Sequence, residues 1–219
     1  MQNTQLSILA SEFVTPDTKR FVTEKPEGFV FSPGQALLLS IDLPEYEDIV
    51  RPYSITSVNA WNYLEFFIKS YPTGKFSEKV KSLNAGAKFN VHGEVNGIKF
   101  KGPGIFIAGG TGITAFISIL RALYLSKNMR NVGLIYSVRE PEDVILAKEL
   151  QQILGENMKV IFTRHKVIGF RENRIDKDFL VDVIGSFDNN FYIAGKTGFV
   201  NDITRYLLEL GAKSEHIII

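Results

Sequence analysis

Apolar residues along this chain follow two rhythms, and the change falls near Pro103. Before it, short runs rich in β-branched and aromatic residues alternate with Pro, Gly and Asn turns. The runs at 5–14, 18–24, 36–41, 53–58, 63–70 and 88–93 read as strands. One helix, over 77–83, interrupts them. Seven of the eight prolines lie at or before Pro103, and proline is poorly tolerated inside helices and central strands. Six short strands in this span predict a small antiparallel β-barrel.

Beyond Pro103, apolar strands alternate with helical stretches. Strands are predicted at 105–108, 131–136, 159–163, 191–194 and 216–219. Helices follow the glycines after 108 and run to about 125, then over 144–154, 178–184 and 200–210. Such alternation predicts a doubly wound parallel α/β sheet, covered on both faces. The expected domains are therefore 1–101, an antiparallel barrel, and 102–219, an α/β domain.

Composition then removes whole classes of function. The 219 residues are 45% hydrophobic and 22% charged, ordinary for a globular chain. The net charge of +1 gives no sign of a nucleic-acid binder. The polar, uncharged start is not secretory, and no apolar run approaches the ~18 residues of a membrane span, so a cytoplasmic location is expected. There is no cysteine. That excludes disulfides, thiolate zinc sites, a cysteine nucleophile and an iron–sulfur cluster held by these residues. His92, His165 and His216 lack ligand spacing, so no metal site is expected. Gly-x-Ser-x-Gly does not occur. Any chemistry here belongs to a cofactor.

One turn suggests which. Gly110, Gly112 and Ala115 satisfy G-x-G-x-x-G/A directly after a strand and at a helix start. The glycines allow a tight turn and close approach by a pyrophosphate, and the helix N-terminus offers free N–H groups. The second strand of this half leads into Tyr136-Ser137-Val138-Arg139. An acidic residue is usual there for the 2′-hydroxyl of NAD. A serine and an arginine suit a 2′-phosphate better, and Arg164, ending the next strand, is placed to join them. NADPH is therefore expected, with NADH the alternative. The plainer reading of both arginines is solvated cations at strand ends.

Arg51-Pro52-Tyr53-Ser54 opens a strand of the first half with a cation, an aromatic ring and a hydroxyl. In that order it resembles the Arg-x-Tyr-Ser signature of the ferredoxin–NADP reductase superfamily. Pro33-Gly34-Gln35 resembles that family's Pro-Gly-Gln, and Gly74-Lys75-Phe76-Ser77 its flavin-phosphate turn. The segment from Gly109 to Thr114 is similar to its nucleotide turn, with Ala115 where a proline is usual. Asp143 to Leu150 resembles the helix after the second nucleotide strand. The segment from Ala194 to Val200 resembles the family's Cys-Gly-x-x-Gly/Met-Val segment. The six motifs fall in family order across nearly the whole chain.

The resemblance implies a barrel binding FAD, in preference to FMN, and an α/β domain binding NAD(P)H. Tyr53 is then expected on one face of the isoalloxazine, Ser54 near flavin N5, and Arg51 on the flavin phosphates. Residues Gly74, Lys75, Phe76 and Ser77 would hold the same phosphates. Gly110, Thr111, Gly112 and Thr114 would take the coenzyme pyrophosphate. Ser137, Arg139 and Arg164 would take its 2′-phosphate, with Ala194 and Gly195 beside the nicotinamide. Two departures stand out. The family's cysteine beside the nicotinamide is Ala194, and the sequence stops at Ile219, where many relatives continue with a tail whose aromatic residue covers the second flavin face.

The expected activity is hydride transfer from NAD(P)H to FAD, with electrons passed to a ferredoxin, flavodoxin, haem or oxygenase protein, or free flavin. One rival is an NAD(P)H:flavin reductase using flavin as substrate. Another is a non-enzymatic flavin- or nucleotide-binding subunit of an electron-transfer complex. Other prominent residues have structural readings. Trp61, Phe66 and Phe67 read as barrel core, Glu45, Glu47 and Asp48 as a solvated loop, and His92 carries no assigned role.

Overall fold

A computed structural model describes residues 4–164 and 174–219 of the chain. His165 and the first three residues lie outside them. The chain divides into two compact units: residues 1–99 with 114–122, and residues 100–113 with 123–219.

The first unit is built on six antiparallel strands: β1 (Thr4–Thr15), β2 (Thr18–Glu24), β3 (Ala36–Ile41), β4 (Arg51–Ser54), β5 (Tyr63–Lys69) and β6 (Lys88–Val95). Their order is β4-β3-β6-β1-β2-β5. β1 is twelve residues long and serves two neighbours. Its first residues pair with β6 and its remainder, past an irregularity between Ile8 and Ala10, with β2. This lets the sheet curl. Inward residues of successive strands, among them Leu6, Phe21, Leu37, Leu39, Phe66, Ile68, Phe89 and Val91, form one core. Phe66 and Phe67 are buried as expected. β4 and β5 lie at opposite ends of this order. They are joined beyond the end of β4, where the Thr56 N–H donates to the Glu65 carbonyl at 2.9 Å.

The strand expected over 53–58 thus starts two residues earlier and stops at Ser54. Beyond it, Ile55 is held by the Gln35 carbonyl and Thr56 turns to β5. The helix expected over 77–83 is α1, Lys75–Val80. Phe76 and Val80 are its buried face, and Tyr71, Gly74 and Ser77 tie the turn before it. Helix α2 (Thr114–Leu125) buries Phe116, Ile117, Ile119, Leu120 and also Arg121.

The second unit contains a five-stranded parallel sheet: β7 (Gly104–Gly109), β8 (Gly133–Val138), β9 (Met158–Phe162), β10 (Asn190–Ala194) and β11 (Ile217–Ile218). The order is β11-β10-β7-β8-β9, with β7 central. Strand alternation sorts the faces. Ile107, Ile135, Ile161 and Ile193 pack with Phe179 and Leu180 of α4 (Lys177–Val183) and Ile203 and Leu207 of α5 (Thr197–Glu209). Asp176 caps α4 by accepting from the Phe179 N–H at 2.8 Å. Phe106 and Tyr192 stack on each other, centroids 4.4 Å apart. The Tyr192 hydroxyl donates to the Gly102 carbonyl at 2.6 Å, pinning the entry to β7.

The helix expected over 144–154 begins later. A 3-10 turn at Pro141–Asp143 comes first, and α3 (Ala147–Leu154) starts after Leu146, whose φ of 57° breaks the helical path. A 3-10 turn at Ser214–His216 likewise shortens the last strand to two residues.

Candidate flavin and nucleotide sites

In the first unit, Arg51, Tyr53 and Ser54 lie on β4, which among the described residues has a ladder with β3 alone. An edge strand leaves one side open, which suits a strand that must meet a ligand. Arg51 is exposed, and its guanidinium donates to the neighbouring Val50 carbonyl at 2.8 Å. Tyr53 and Ser54 are half-buried. The Tyr53 ring stacks on Phe76 of α1, centroids 5.4 Å apart and planes at 26°. This brings the Arg-Pro-Tyr-Ser strand and the 74–77 turn together, although some twenty residues separate them. Burial pushes the Tyr53 phenol up, so the ring is neutral at any ordinary pH.

The turn itself is pre-formed. The Gly74 N–H donates to Tyr71, and the Ser77 hydroxyl accepts from the Tyr71 N–H at 3.1 Å. Ser77 thereby holds the turn. Lys75 is exposed, with Nζ 5.2 Å from the Tyr46 ring centre. A cleft of about 480 Å³ is lined by Tyr46, Gly74, Lys75, Glu78 and Lys79, among others. Pro33-Gly34-Gln35 is structural. Gly34 has φ +89°, and a Cβ there would lie 2.2 Å from the Ile98 carbonyl oxygen, so no other residue fits. Gln35 accepts the Ile55 N–H that follows β4. Exposed Arg51 and Lys75, the Tyr53 ring and the Ser54 hydroxyl are a donor set that fits a flavin with its phosphates.

In the second unit, Gly110 (φ +55°), Thr111 and Gly112 form one 3-10 turn after β7. That turn delays α2 to Thr114. Gly112 is fixed by space: a Cβ there would lie 2.2 Å from the Ala194 carbonyl oxygen and 2.7 Å from the Gly195 nitrogen. The glycine turn and the end of β10 are therefore in direct contact, as ligand-binding strand ends of a parallel sheet should be. Phe199 closes this corner against Gly109 and Gly195. Ser137 is buried on β8, beside Gly109. Arg139 and Arg164 are exposed, and the Arg164 N–H donates to the Arg139 carbonyl at 3.0 Å. The two arginines stand side by side at neighbouring strand ends.

Two family models match the chain: an oxidoreductase FAD-binding domain over residues 5–100 and an oxidoreductase NAD-binding domain over residues 106–205. The chain belongs to the ferredoxin–NADP reductase superfamily. Its two matched domains are an oxidoreductase FAD-binding domain and an oxidoreductase NAD-binding domain. The ferredoxin–NAD(P)(+) reductase component of the naphthalene 1,2-dioxygenase system of Pseudomonas putida is 27% identical across 96% of this chain and 66% of its own length. NADH-cytochrome b5 reductase 1 of Coccidioides immitis is 29% identical across 63% of this chain and 49% of its own. The chain thus spans from half to two-thirds of these relatives. The fold matches a ferredoxin NADP+ reductase from Neisseria gonorrhoeae with bound FAD and NADP, at TM-score 0.82 and 22% identity over 96% of this chain and 92% of that one. It also matches the FAD/NAD-binding domain of a nitric oxide dioxygenase from Vibrio cholerae, at TM-score 0.86 and 16% identity over 100% and 98%.

Among the described residues no helix is long and apolar enough to cross a membrane, and no cluster of His, Asp and Glu is arranged to hold a metal. Glu45, Glu47 and Asp48 are exposed. His92 shares a 2.8 Å hydrogen bond with Ser40. Trp61 is only half-buried, stacked on Tyr63 beneath the Arg121 guanidinium. Glu65 and Arg121, which no motif singles out, pair inside the first unit. Their signal was present: each is a single charge within an otherwise apolar run.

Proposed function

We propose that this chain is an FAD-dependent NAD(P)H oxidoreductase that delivers electrons to a separate redox protein. The observation that carries the reading is the Tyr53–Phe76 stack, which joins the Arg-Pro-Tyr-Ser strand to the 74–77 turn within the FAD-binding domain. FAD, when bound, supplies acceptance of a hydride and its release as one or two electrons. The chain supplies placement. Arg51 and Lys75 neutralise the flavin phosphates, which the amides of residues 75–77 also meet, Gly74 shaping the turn. Tyr53 lies against one face of the isoalloxazine, and Ser54 offers its hydroxyl near N5.

In the NAD-binding domain, Gly110, Thr111, Gly112 and Thr114 take the coenzyme pyrophosphate, and Ala194 and Gly195 border the nicotinamide end. Ser137, Arg139 and Arg164 take a 2′-phosphate, which favours NADPH over NADH. The acceptor is a carrier of the ferredoxin or cytochrome b5 kind, as in the named relatives. Because these residues include no cysteine, the thiolates of any iron–sulfur carrier lie outside them.

The test is the visible spectrum of the purified protein, titrated anaerobically with NADPH and separately with NADH, and then mixed with ferredoxin or cytochrome b5. A yellow protein that bleaches and is reoxidised by a carrier supports the reading. A colourless protein that reduces added flavin replaces it with a flavin reductase. A yellow protein that neither coenzyme bleaches leaves only a flavin-binding subunit.

A further inference from the structure

Glu65 is 1% exposed, at the centre of the apolar strand β5. One carboxylate oxygen accepts from the Thr56 hydroxyl at 2.8 Å and from Arg121 at 2.5 Å. The other accepts from Arg20 at 2.6 Å. Arg121 also donates to the Thr56 carbonyl at 2.7 Å, and its guanidinium lies 4.7 Å from the Trp61 ring centre. Thr56 is fully buried, and its N–H, hydroxyl and carbonyl are all taken by Glu65 or Arg121. Arg20 also reaches outward, to the exposed Glu12.

A buried carboxylate between two guanidiniums is an expensive way to hold two strands together. Apolar side chains of the same volume often stabilise as well or better. What charge-assisted hydrogen bonds from planar guanidiniums add is direction. The place where direction is supplied is telling. Among the described residues β4 has a ladder partner on one side, β3, and on the other it meets β5 with no ladder to fix it. Thr56 stands two residues beyond Ser54, within about 7 Å of chain. We propose that Glu65, Arg121 and Thr56 form a positioning device that fixes Ser54 and Tyr53 for hydride transfer. None of the three is assigned contact with the flavin. The inference rests on the flavin reading of β4 given above.

The experiment compares Thr56→Val, Thr56→Ser and Arg121→Lys with the wild-type holoprotein. Anaerobic stopped-flow with the preferred coenzyme reads the bleaching rate per bound flavin. Flavin affinity, coenzyme KM and thermal midpoint are measured alongside. Thr56→Val keeps the N–H bond and volume but loses the hydroxyl. It is expected to slow bleaching per bound flavin about tenfold, with coenzyme KM within about twofold, in line with the sensitivity of reacting geometry to small displacements. Thr56→Ser, which keeps the hydroxyl, should return to within about twofold of wild type. Arg121→Lys keeps the charge, loses the planar guanidinium whose one nitrogen meets both Thr56 and Glu65 and which lies over Trp61, and should also be slow. If Thr56→Val or Arg121→Lys lowers only the thermal midpoint or flavin content while each bound flavin bleaches at the wild-type rate, the device is merely structural and the proposal is overturned. Should Thr56→Val not fold, Arg121→Lys decides alone. A wild-type flavin that no coenzyme bleaches removes the underlying reading, and this inference falls with it.

Discussion

Replacing Gly112 by alanine tests the nucleotide site most directly, because the structure fixes what the added methyl group meets. The new Cβ would stand 2.2 Å from the Ala194 oxygen, 2.4 Å from its carbonyl carbon and 2.7 Å from the Gly195 nitrogen. All three are backbone atoms at the end of β10, so no side chain can swing aside. Relief to an ordinary contact requires the turn and the strand end to part by roughly 1 Å. A displacement of that size in a substrate-positioning group costs about a hundredfold, equivalent to about 2.7 kcal/mol. The assay is anaerobic flavin reduction against coenzyme concentration, with FAD content read from absorbance. The rate constant divided by KM should fall about a hundredfold while FAD content stays complete, since the clash is confined to the second unit. Gly110→Ala is the control. Gly110 sits at φ +55° with nothing within 4 Å of a Cβ, so alanine there meets only backbone strain. Strain of about 1 kcal/mol corresponds to roughly fivefold. Equal effects of the two substitutions, or a Gly112→Ala protein with wild-type coenzyme response, would refute the packing argument.

Arg51→Ala should weaken FAD binding about tenfold, the lower end expected for an exposed charge-assisted bond, as measured by flavin fluorescence on titrating the apoprotein; unchanged affinity would remove Arg51 from the phosphate site. Changing Arg139 and Arg164 together to Ala should raise KM for NADPH far more than for NADH, on the order of tenfold or more per lost bond, and equal loss for both would leave these cations structural. Ala194→Cys should speed flavin bleaching at saturating NADPH, and Ala194→Trp should abolish it; an unaffected Trp variant would place Ala194 away from the nicotinamide. Burial raises the phenol pKa of both Tyr53 and Tyr136 above the ordinary value near 10. Their protons are therefore kept by the folded protein and lost by the unfolded chain as pH passes 10, and stability should fall there by up to about 1.4 kcal/mol per pH unit per tyrosine. Urea unfolding between pH 9 and 11 checks this, with Tyr136→Phe expected to remove its share of the slope.

The periods of apolar residues by themselves determined the two-part fold and the place of most strands, because strands and helices bury one face at different spacings. The glycine turn after β7 was equally legible, since a tight turn close to a strand end restricts residue choice locally. The motif strand with Arg51, Tyr53 and Ser54 could be named from its order, but not its bounds. Where β4 stops is decided by the bond between Thr56 and Glu65, which turns the chain from its pairing with β3 toward β5. Leu146 at φ 57° and the 3-10 turn at Pro141–Asp143 likewise shortened a helix that periodicity alone would have extended.

The same division runs through the sites. Local sequence picked out Arg139 and Arg164 separately, each as a cation at a strand end; only parallel pairing of β8 and β9 set them side by side. Tyr53 and Phe76 are 23 positions apart, and their stacking exists only because the helix after β5 folds back over the barrel's edge. Glu65 shows the limit most clearly. A lone acid in an apolar strand is visible in the sequence as an anomaly, yet what neutralises it comes from β2 and α2, at positions 20 and 121. Spacing along a chain dictates which face a residue occupies. Which charge it meets there is fixed by long-range packing, and that is a property of the folded molecule alone.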